Sequence, residues 1–268
     1  MTITIDSYAP GAHVAAHPDR RRTDWLTNLV LLAALWSFYA VVRNLTGETQ
    51  FVAVGNASSL LEIESTVGLD VERAVQAAVD WPQAMMAANT YYLLHFPLTL
   101  MVLGVAFWRS RSHVFPIVRN SLIGCTAVAL VVHLLVPMAP PRMLPGFVDA
   151  GAEFGPDPYA LAGSESANQF AAMPSMHVAW AILAGYAIWR LSSHRVTRTA
   201  AAFHPIITTF VVIVTGHHFV ADAAIGAAIA IAVLAVSERC SREGVTPFGL
   251  IVRRCDDGAL SPRSRSAE

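Results

Sequence analysis

Apolar runs long enough to cross a lipid bilayer recur along the chain, and they restrict the folds that it can adopt. Of its 268 residues, 54% are hydrophobic and 14% are charged, whereas a soluble domain carries about a quarter charged residues. The runs predict an all-α fold, a polytopic membrane helix bundle with six transmembrane helices. The predicted spans are residues 25–42, 86–108, 121–138, 176–191, 201–215 and 219–236.

The distribution of arginine predicts the side of the membrane on which each loop lies. The chain has no lysine, and its arginines concentrate near both termini and in the loops after the second and fourth spans. Under the positive-inside rule both termini are therefore cytoplasmic, and we expect the plasma membrane as the location. The predicted parts are a disordered cytoplasmic arm over 1–24, a six-span membrane domain over 25–236 and a polar cytoplasmic tail over 237–268.

A long segment over 44–80 follows the first span on the outer side. Its apolar residues recur at near-helical spacing, which predicts an additional amphipathic helix lying at the outer membrane interface. The positions concerned are Leu61, Ile63, Val67, Val71, Val75 and Val79.

The stretch "AAMPSMHVAW", residues 171–180, joins an outer loop to the fourth span. Ser175 is well placed as the N-cap of that helix, and His177 falls in its first turn. The unpaired N–H groups and the positive dipole end of a helix N-terminus favour phosphate binding. The alternative is ordinary capping next to a solvated histidine.

The start of the sixth span carries "HHFVAD", in which His218 and Asp222 share one helix face. A carboxylate in an apolar segment indicates a functional site with a polar partner. Asp222 is expected to accept the Nδ1–H of His218 and to leave Nε2 free as a nucleophile. The alternative is that Asp222 only satisfies a buried histidine or packs against another helix. Gly226, one turn further on, is interpreted as a helix-contact position.

A third polar element is Arg142, which lies in the proline-rich stretch "PMAPPRMLPG". A guanidinium group suits bidentate phosphate binding, although an arginine at this depth can also pair with lipid headgroups. The predicted topology brings Arg142, Ser175, His177 and His218 to the outer face. Together they suit phosphoryl transfer, with Arg142 and Ser175 as the phosphate cradle, His218 as nucleophile and His177 as general acid. No acidic cluster suited to magnesium accompanies them, so the predicted reaction needs neither a metal nor a cofactor.

The motifs "MPSMH" and "HHFVAD", with "PPR" upstream and six spans, resemble the type 2 phosphatidic acid phosphatase superfamily. The likeness covers about residues 122–236 and is closer to its inositol phosphorylceramide synthase branch, whose motifs are similar to "PSLH" and "HHYxxD". The resemblance implies a covalent phosphohistidine on His218, held by Asp222, with His177 protonating the leaving group. The wider superfamily has a lysine in its first motif and a serine–arginine pair before the nucleophile. Here that pair is Val211 and Val212. His217 is expected to compensate in part by binding phosphate, and the alternative is an interfacial neighbour without a role.

The sequence therefore predicts a membrane enzyme that cleaves a lipid phosphoester at the outer leaflet. The phosphoryl-bearing group would pass to water or to an alcohol such as an inositol or sugar headgroup, and in the second case the transferred group could be an inositol phosphate or a similar headgroup. The residues do not distinguish these outcomes. The expected partners are a lipid phosphate or phospholipid and the membrane, not a nucleic acid, and no oligomeric state is predicted. Two alternatives are a transporter or proton relay using the histidines and Asp222, and an intramembrane protease using Ser175. The clustering at one face disfavours the first, and a serine without flanking glycines disfavours the second.

Overall fold

Helices make up the part of the chain that the computed structural model describes, which is residues 50–79, 81–109, 114–162 and 169–243, together with Val30. These residues contain no strand, only an isolated bridge between Met138 and Ala171. The α-helices, in order, are α1 (Gln50–Thr66), α2 (Glu72–Ala78), α3 (Pro82–Arg109), α4 (Val114–Leu135), α5 (Ala150–Phe154), α6 (Pro158–Ala162), α7 (Met176–Leu191), α8 (Arg195–Val214) and α9 (Val220–Glu243), with a 3-10 turn at Pro141–Met143.

The chain divides into two compact units, Met1–Val41 and Val42–Glu268, and all the helices above belong to the second. The predicted arm over 1–24 lies outside the described residues, as do the first predicted span apart from Val30 and the tail beyond residue 243.

Helix α7 lies at the centre of the second unit and packs against α3, α4, α8 and α9. Its buried side chains include Ala179, Leu183 and Ala187, which join a core with α4 and α9. The small residues let the backbones approach closely, as is usual between membrane helices. At Gly185 a Cβ atom would lie 2.6 Å from the carbonyl oxygen of Ala201 on α8.

Three of the described helices, α4, α8 and α9, are long and apolar enough to span a membrane. Large apolar side chains are exposed on several helices, for example Met101 on α3, Phe210 on α8 and Ile231 on α9. Exposed apolar surface of this extent indicates a covering other than water. These features are consistent with a membrane protein.

The helix ends differ from the predicted spans, except for α7, which coincides with 176–191. Helix α4 begins at Val114, seven residues before the predicted span at 121. Part of the arginine-rich loop predicted after the second span is therefore helical, and Arg119 lies in α4. Helix α8 begins at Arg195. Helix α9 continues to Glu243, past the predicted boundary at residue 236. The reason is that hydropathy marks the apolar part of a helix, whereas hydrogen bonding and surface ion pairs extend its polar ends.

The segment over 44–80 forms two helices in its described part, where one amphipathic helix was predicted. The backbone turns at Gly68, which has a φ of 73°, a conformation that glycine adopts at no steric cost. Ile63 and Val67, from the predicted apolar stripe, are exposed. The side chains that α1 and α2 bury include Glu64 and Glu72.

Candidate active site

The connection into α7 positions the first histidine. Its backbone is tied to the end of α4 by hydrogen bonds of 2.8 and 3.1 Å between Met138 and residues 170 and 172. The predicted N-cap is confirmed: the side chain of Ser175 accepts the N–H of Val178, at 3.5 Å. His177 therefore lies in the first turn of α7, where it is buried.

The turn between α8 and α9 holds the second and third histidines. The N–H groups of His217 and His218 both donate to the carbonyl of Val212, at 3.0 and 3.1 Å. Gly216 begins this turn with a φ of 72°, and a Cβ atom there would lie 2.9 Å from the carbonyl oxygen of Val148. The turn thus requires glycine for its conformation and for its space.

His218 is buried and is held by a backbone group. Its Nδ1 lies 2.8 Å from the carbonyl oxygen of Ala172 and 3.6 Å from Oδ2 of Asp222. A proton on Nδ1 would be donated to Ala172, which leaves Nε2 bare. The sequence predicted that Asp222 accepts the Nδ1–H, but the carbonyl of Ala172 is the closer acceptor. A backbone carbonyl has no signature in the sequence.

Asp222 is completely buried, and its carboxylate caps the start of α9. Its Oδ2 accepts the N–H of Phe219 at 2.9 Å, the return bond of a capping box. No described residue hydrogen-bonds to Oδ1. This bond fixes the carboxylate beside His218, with Oδ2 3.6 Å from Nδ1.

Helix α9 and the connection into α7 are in direct backbone contact. The N–H of Ser175 donates to the carbonyl of Asp222 at 2.9 Å. A Cβ atom on Gly226 would lie 2.3 Å from the carbonyl oxygen of Ser175, which confirms Gly226 as a helix-contact position. This contact brings the rings of His177 and His218 to a centroid distance of 5.9 Å.

An aromatic stack connects the histidines of the two motifs. The ring of Tyr92, on α3, lies between His177 and His217, at 3.9 Å from each. Phe96 and His95, one turn further along α3, also contact the His177 ring, at 4.2 and 5.3 Å. The sequence does not predict these α3 residues to be part of the site, because an aromatic residue in an apolar span has no distinguishing pattern.

Arg142 is fixed by its backbone and by three side chains. Its N–H donates to the carbonyl of Gly216 at 2.9 Å, next to the histidines. Its guanidinium group binds Asp149 at 2.9 Å and Gln169 at 3.1 Å, and lies 4.3 Å from the ring centre of Tyr159. Burial acts to lower the pKa of Arg142, but Tyr159 and Asp149 outweigh it and raise that pKa. The guanidinium is therefore charged, and a phosphate would compete with Asp149 or join it.

His217 is buried between Tyr92 and Tyr159, whose ring is stacked on it at 5.9 Å. Neither ring nitrogen has a hydrogen-bond partner in the described part of the chain. Burial lowers the pKa of His217 well below its ordinary value, and the charge of Arg142 lowers it further. His217 is thus neutral and can offer phosphate a hydrogen bond but no positive charge.

Among the described residues, no group of three or more histidine, cysteine, aspartate or glutamate side chains could hold a metal ion. A metal-independent reaction stays a prediction.

Two buried glutamates, not predicted from the sequence, bind the first turn of α9 directly after His218. Glu72 accepts the N–H of Val220 and Glu64 accepts the N–H of Ala221, both at 2.8 Å. Their only signal in the sequence is that both are acidic residues in a segment predicted to be amphipathic.

The sequence model of the PAP2 superfamily, the type 2 phosphatidic acid phosphatases, matches residues 58–236. The chain belongs to this superfamily. The match contains both histidine motifs and also Glu64 and Glu72, so it begins well before the likeness found at residue 122. Neither a curated protein nor a solved structure matches the chain significantly. Membership indicates a lipid-phosphatase-like function, since the superfamily consists of phosphoric-ester hydrolases.

Proposed function

We propose that this protein is an integral membrane lipid phosphatase or phosphotransferase that works through a phosphohistidine on His218. The observation that carries the proposal is the facing pair of buried rings, His177 and His218, 5.9 Å apart, with Nδ1 of His218 bound to a carbonyl. This arrangement leaves Nε2 of His218 as the free nucleophilic atom.

In the proposed first step, Nε2 of His218 forms a bond to phosphorus, and the bond from phosphorus to the lipid oxygen breaks. His177 gives its proton to that leaving oxygen. In the second step water or an alcohol attacks the phosphorus, its proton passes to His177, and the bond to His218 breaks. The imidazolium form that His177 needs at the outset is favoured by the negative charge of the bound phosphate.

The proposed phosphate cradle combines Arg142, Ser175, His217 and the N-terminus of α7. Arg142 supplies a positive charge, while His217 and the α7 backbone supply neutral donors. Val211 and Val212, which replace the serine–arginine pair of the wider superfamily, are buried apolar side chains and add no donor. This reduced set of cations supports the synthase-like branch, in which an inositol phosphate or a similar headgroup would be transferred.

The proposed orientation has six spans, cytoplasmic termini and the site at the extracytoplasmic face of the plasma membrane. It is supported by the arginine asymmetry of the loops. Helices α1 and α2 would then lie at the outer interface, with Ile63 and Val67 against lipid.

The test compares the purified wild type with His218→Ala on lipid phosphates, with and without inositol. Free phosphate and headgroup-transfer products are both measured, and His194→Ala provides a matched control because His194 is exposed between α7 and α8. We expect His218→Ala to abolish both products and His194→Ala to retain them. Equal activity of His218→Ala and wild type would refute the phosphohistidine scheme.

A further inference from the structure

The first turn of α9, directly after His218, is held by three carboxyl groups. The N–H groups of Phe219, Val220 and Ala221 donate to Asp222, Glu72 and Glu64, at 2.9, 2.8 and 2.8 Å. A helix N-terminus leaves such donors without intrahelical partners and carries positive potential, so carboxylates stabilise it. Asp222 belongs to α9 itself, whereas the two glutamates come from α1 and α2, about 150 residues earlier in the chain.

The two glutamates form one buried unit. Their exposed fractions are only 2% for Glu64 and 1% for Glu72. In each glutamate, Oε1 accepts an N–H group of α9. The Oε2 atom of each lacks a hydrogen-bond partner among the described residues. Buried polar atoms are rarely left unpaired, and the Glu64 and Glu72 side chains lie within hydrogen-bond reach of each other, so a proton on one carboxyl group would be donated to the other.

The charges around the unit also favour a shared proton. The titratable groups that face Glu64 are Glu72 on α2 and Asp222 on α9, and no basic side chain in the described ranges forms an ion pair with either glutamate. Burial above all, and then the carboxyl groups of Glu72 and Asp222, raise the pKa of Glu64 to about 8, against the opposing effect of the Ala221 N–H. Adjacent buried carboxylates ionise as a pair, not independently.

We propose that Glu64 and Glu72 share one proton and are positioning residues for His218, which they act on through the first turn of α9. The inference rests on the proposed function, since it concerns the placement of the phosphorylated histidine. It makes α1 and α2 part of the active-site scaffold. Loss of the shared proton at alkaline pH would leave two adjacent negative charges beside Asp222, and their repulsion would open the cap.

The experiment uses full-length protein in detergent micelles and a lipid phosphate as substrate. Glu64→Ala removes the contact to Ala221, and we expect kcat to fall about 10- to 100-fold with a smaller change in KM, because misplacing a nucleophile by about 1 Å has effects of this size. Glu64→Gln keeps the acceptor oxygen and replaces the shared proton with an amide N–H. The wild-type kcat should decline as the pH rises through about 8, because the shared proton is lost. Glu64→Gln should therefore retain near-wild-type kcat at neutral pH and should not show this decline. Glu62→Gln, an exposed change on the same helix, is the matched control and should retain the wild-type pH profile.

Infrared spectroscopy of the same proteins detects the shared proton without requiring turnover or the folding of the alanine variant. The wild type should show a protonated carboxyl band that disappears as the pH rises through about 8 and that Glu64→Gln removes. Absence of the band in the wild type would overturn the shared proton. Wild-type kcat in Glu64→Ala, or a wild-type alkaline limb in Glu64→Gln, would overturn the positioning role. A wild type that shows the band but has no activity on lipid phosphates would instead contradict the proposed function.

Discussion

Replacing Gly226 with alanine introduces a methyl group where α9 meets the connection into α7. The new Cβ atom would lie 2.3 Å from the carbonyl oxygen of Ser175 and 3.1 Å from its carbon. Since carbon–oxygen contacts are normally about 3.3 Å or longer, and the obstructing atoms are backbone, the two elements must separate by about 1 Å. His218 and His177 lie on opposite sides of this contact, so we expect kcat to fall about 100-fold.

The same change affects stability less than activity. Overpacking costs about 1–3 kcal/mol, and the higher helix propensity of alanine returns up to about 1 kcal/mol. Thermal unfolding in detergent micelles and steady-state kinetics on a lipid phosphate measure the two effects separately.

Two further glycines serve as controls for this prediction. A Cβ atom on Gly185 would also meet a carbonyl, that of Ala201 at 2.6 Å, but about 12 Å along α7 from His177. Gly185→Ala should therefore lose comparable stability and retain most of its kcat. A Cβ atom on Gly104 meets nothing within 4 Å, so Gly104→Ala should leave kcat unchanged and raise stability by up to about 1 kcal/mol. Wild-type kcat in Gly226→Ala, or an equal loss of kcat in Gly185→Ala, would refute the reasoning.

Three other predictions use the same assays. Arg142→Lys should raise KM for a lipid phosphate about tenfold, because an ammonium group cannot bind phosphate in the bidentate geometry of a guanidinium; an unchanged KM would exclude Arg142 from phosphate binding. His177→Ala should lower kcat about 10²- to 10⁴-fold on an alkyl phosphate and far less on an aryl phosphate, whose leaving oxygen needs no proton; equal losses would contradict the role as general acid. Because the folded pKa of Glu64, about 8, lies above its ordinary value of 4.5, its stabilisation is complete below about pH 4.5 and is lost as the pH rises through 8. The melting temperature should fall over that range, and the fall should be smaller in Glu64→Gln. An identical dependence of melting temperature on pH in the two proteins would show that Glu64 does not cause the fall.

Features determined by neighbouring residues could be predicted from the sequence. Ser175 caps α7 because a serine before an apolar helical run supplies the missing acceptor, and α7 has the predicted bounds for that reason. The spacing of His218 and Asp222 placed them one turn apart. The grouping of Arg142 with these motifs followed from counting spans, and the backbone bond from Arg142 to Gly216 is consistent with it.

Features determined by distant contacts could not be predicted. The partner of Nδ1 on His218 is the carbonyl of Ala172, and any residue type provides a carbonyl. Tyr92 enters the site because α3 packs beside α7, which no periodicity reveals. Glu64 and Glu72 are buried because α9 offers them unpaired N–H groups, and in the sequence they resemble acidic residues of an exposed helix face.

Trapping the covalent intermediate tests the central proposal most directly. Wild-type protein is mixed with a lipid phosphate labelled in its phosphorus atom, quenched in alkaline detergent during the first turnover, and mapped by peptide mass spectrometry. The account predicts an acid-labile phosphoryl group on the peptide that contains His218, absent from His218→Ala. Turnover with no phosphoryl group on His218, or with the label on another residue, would contradict it.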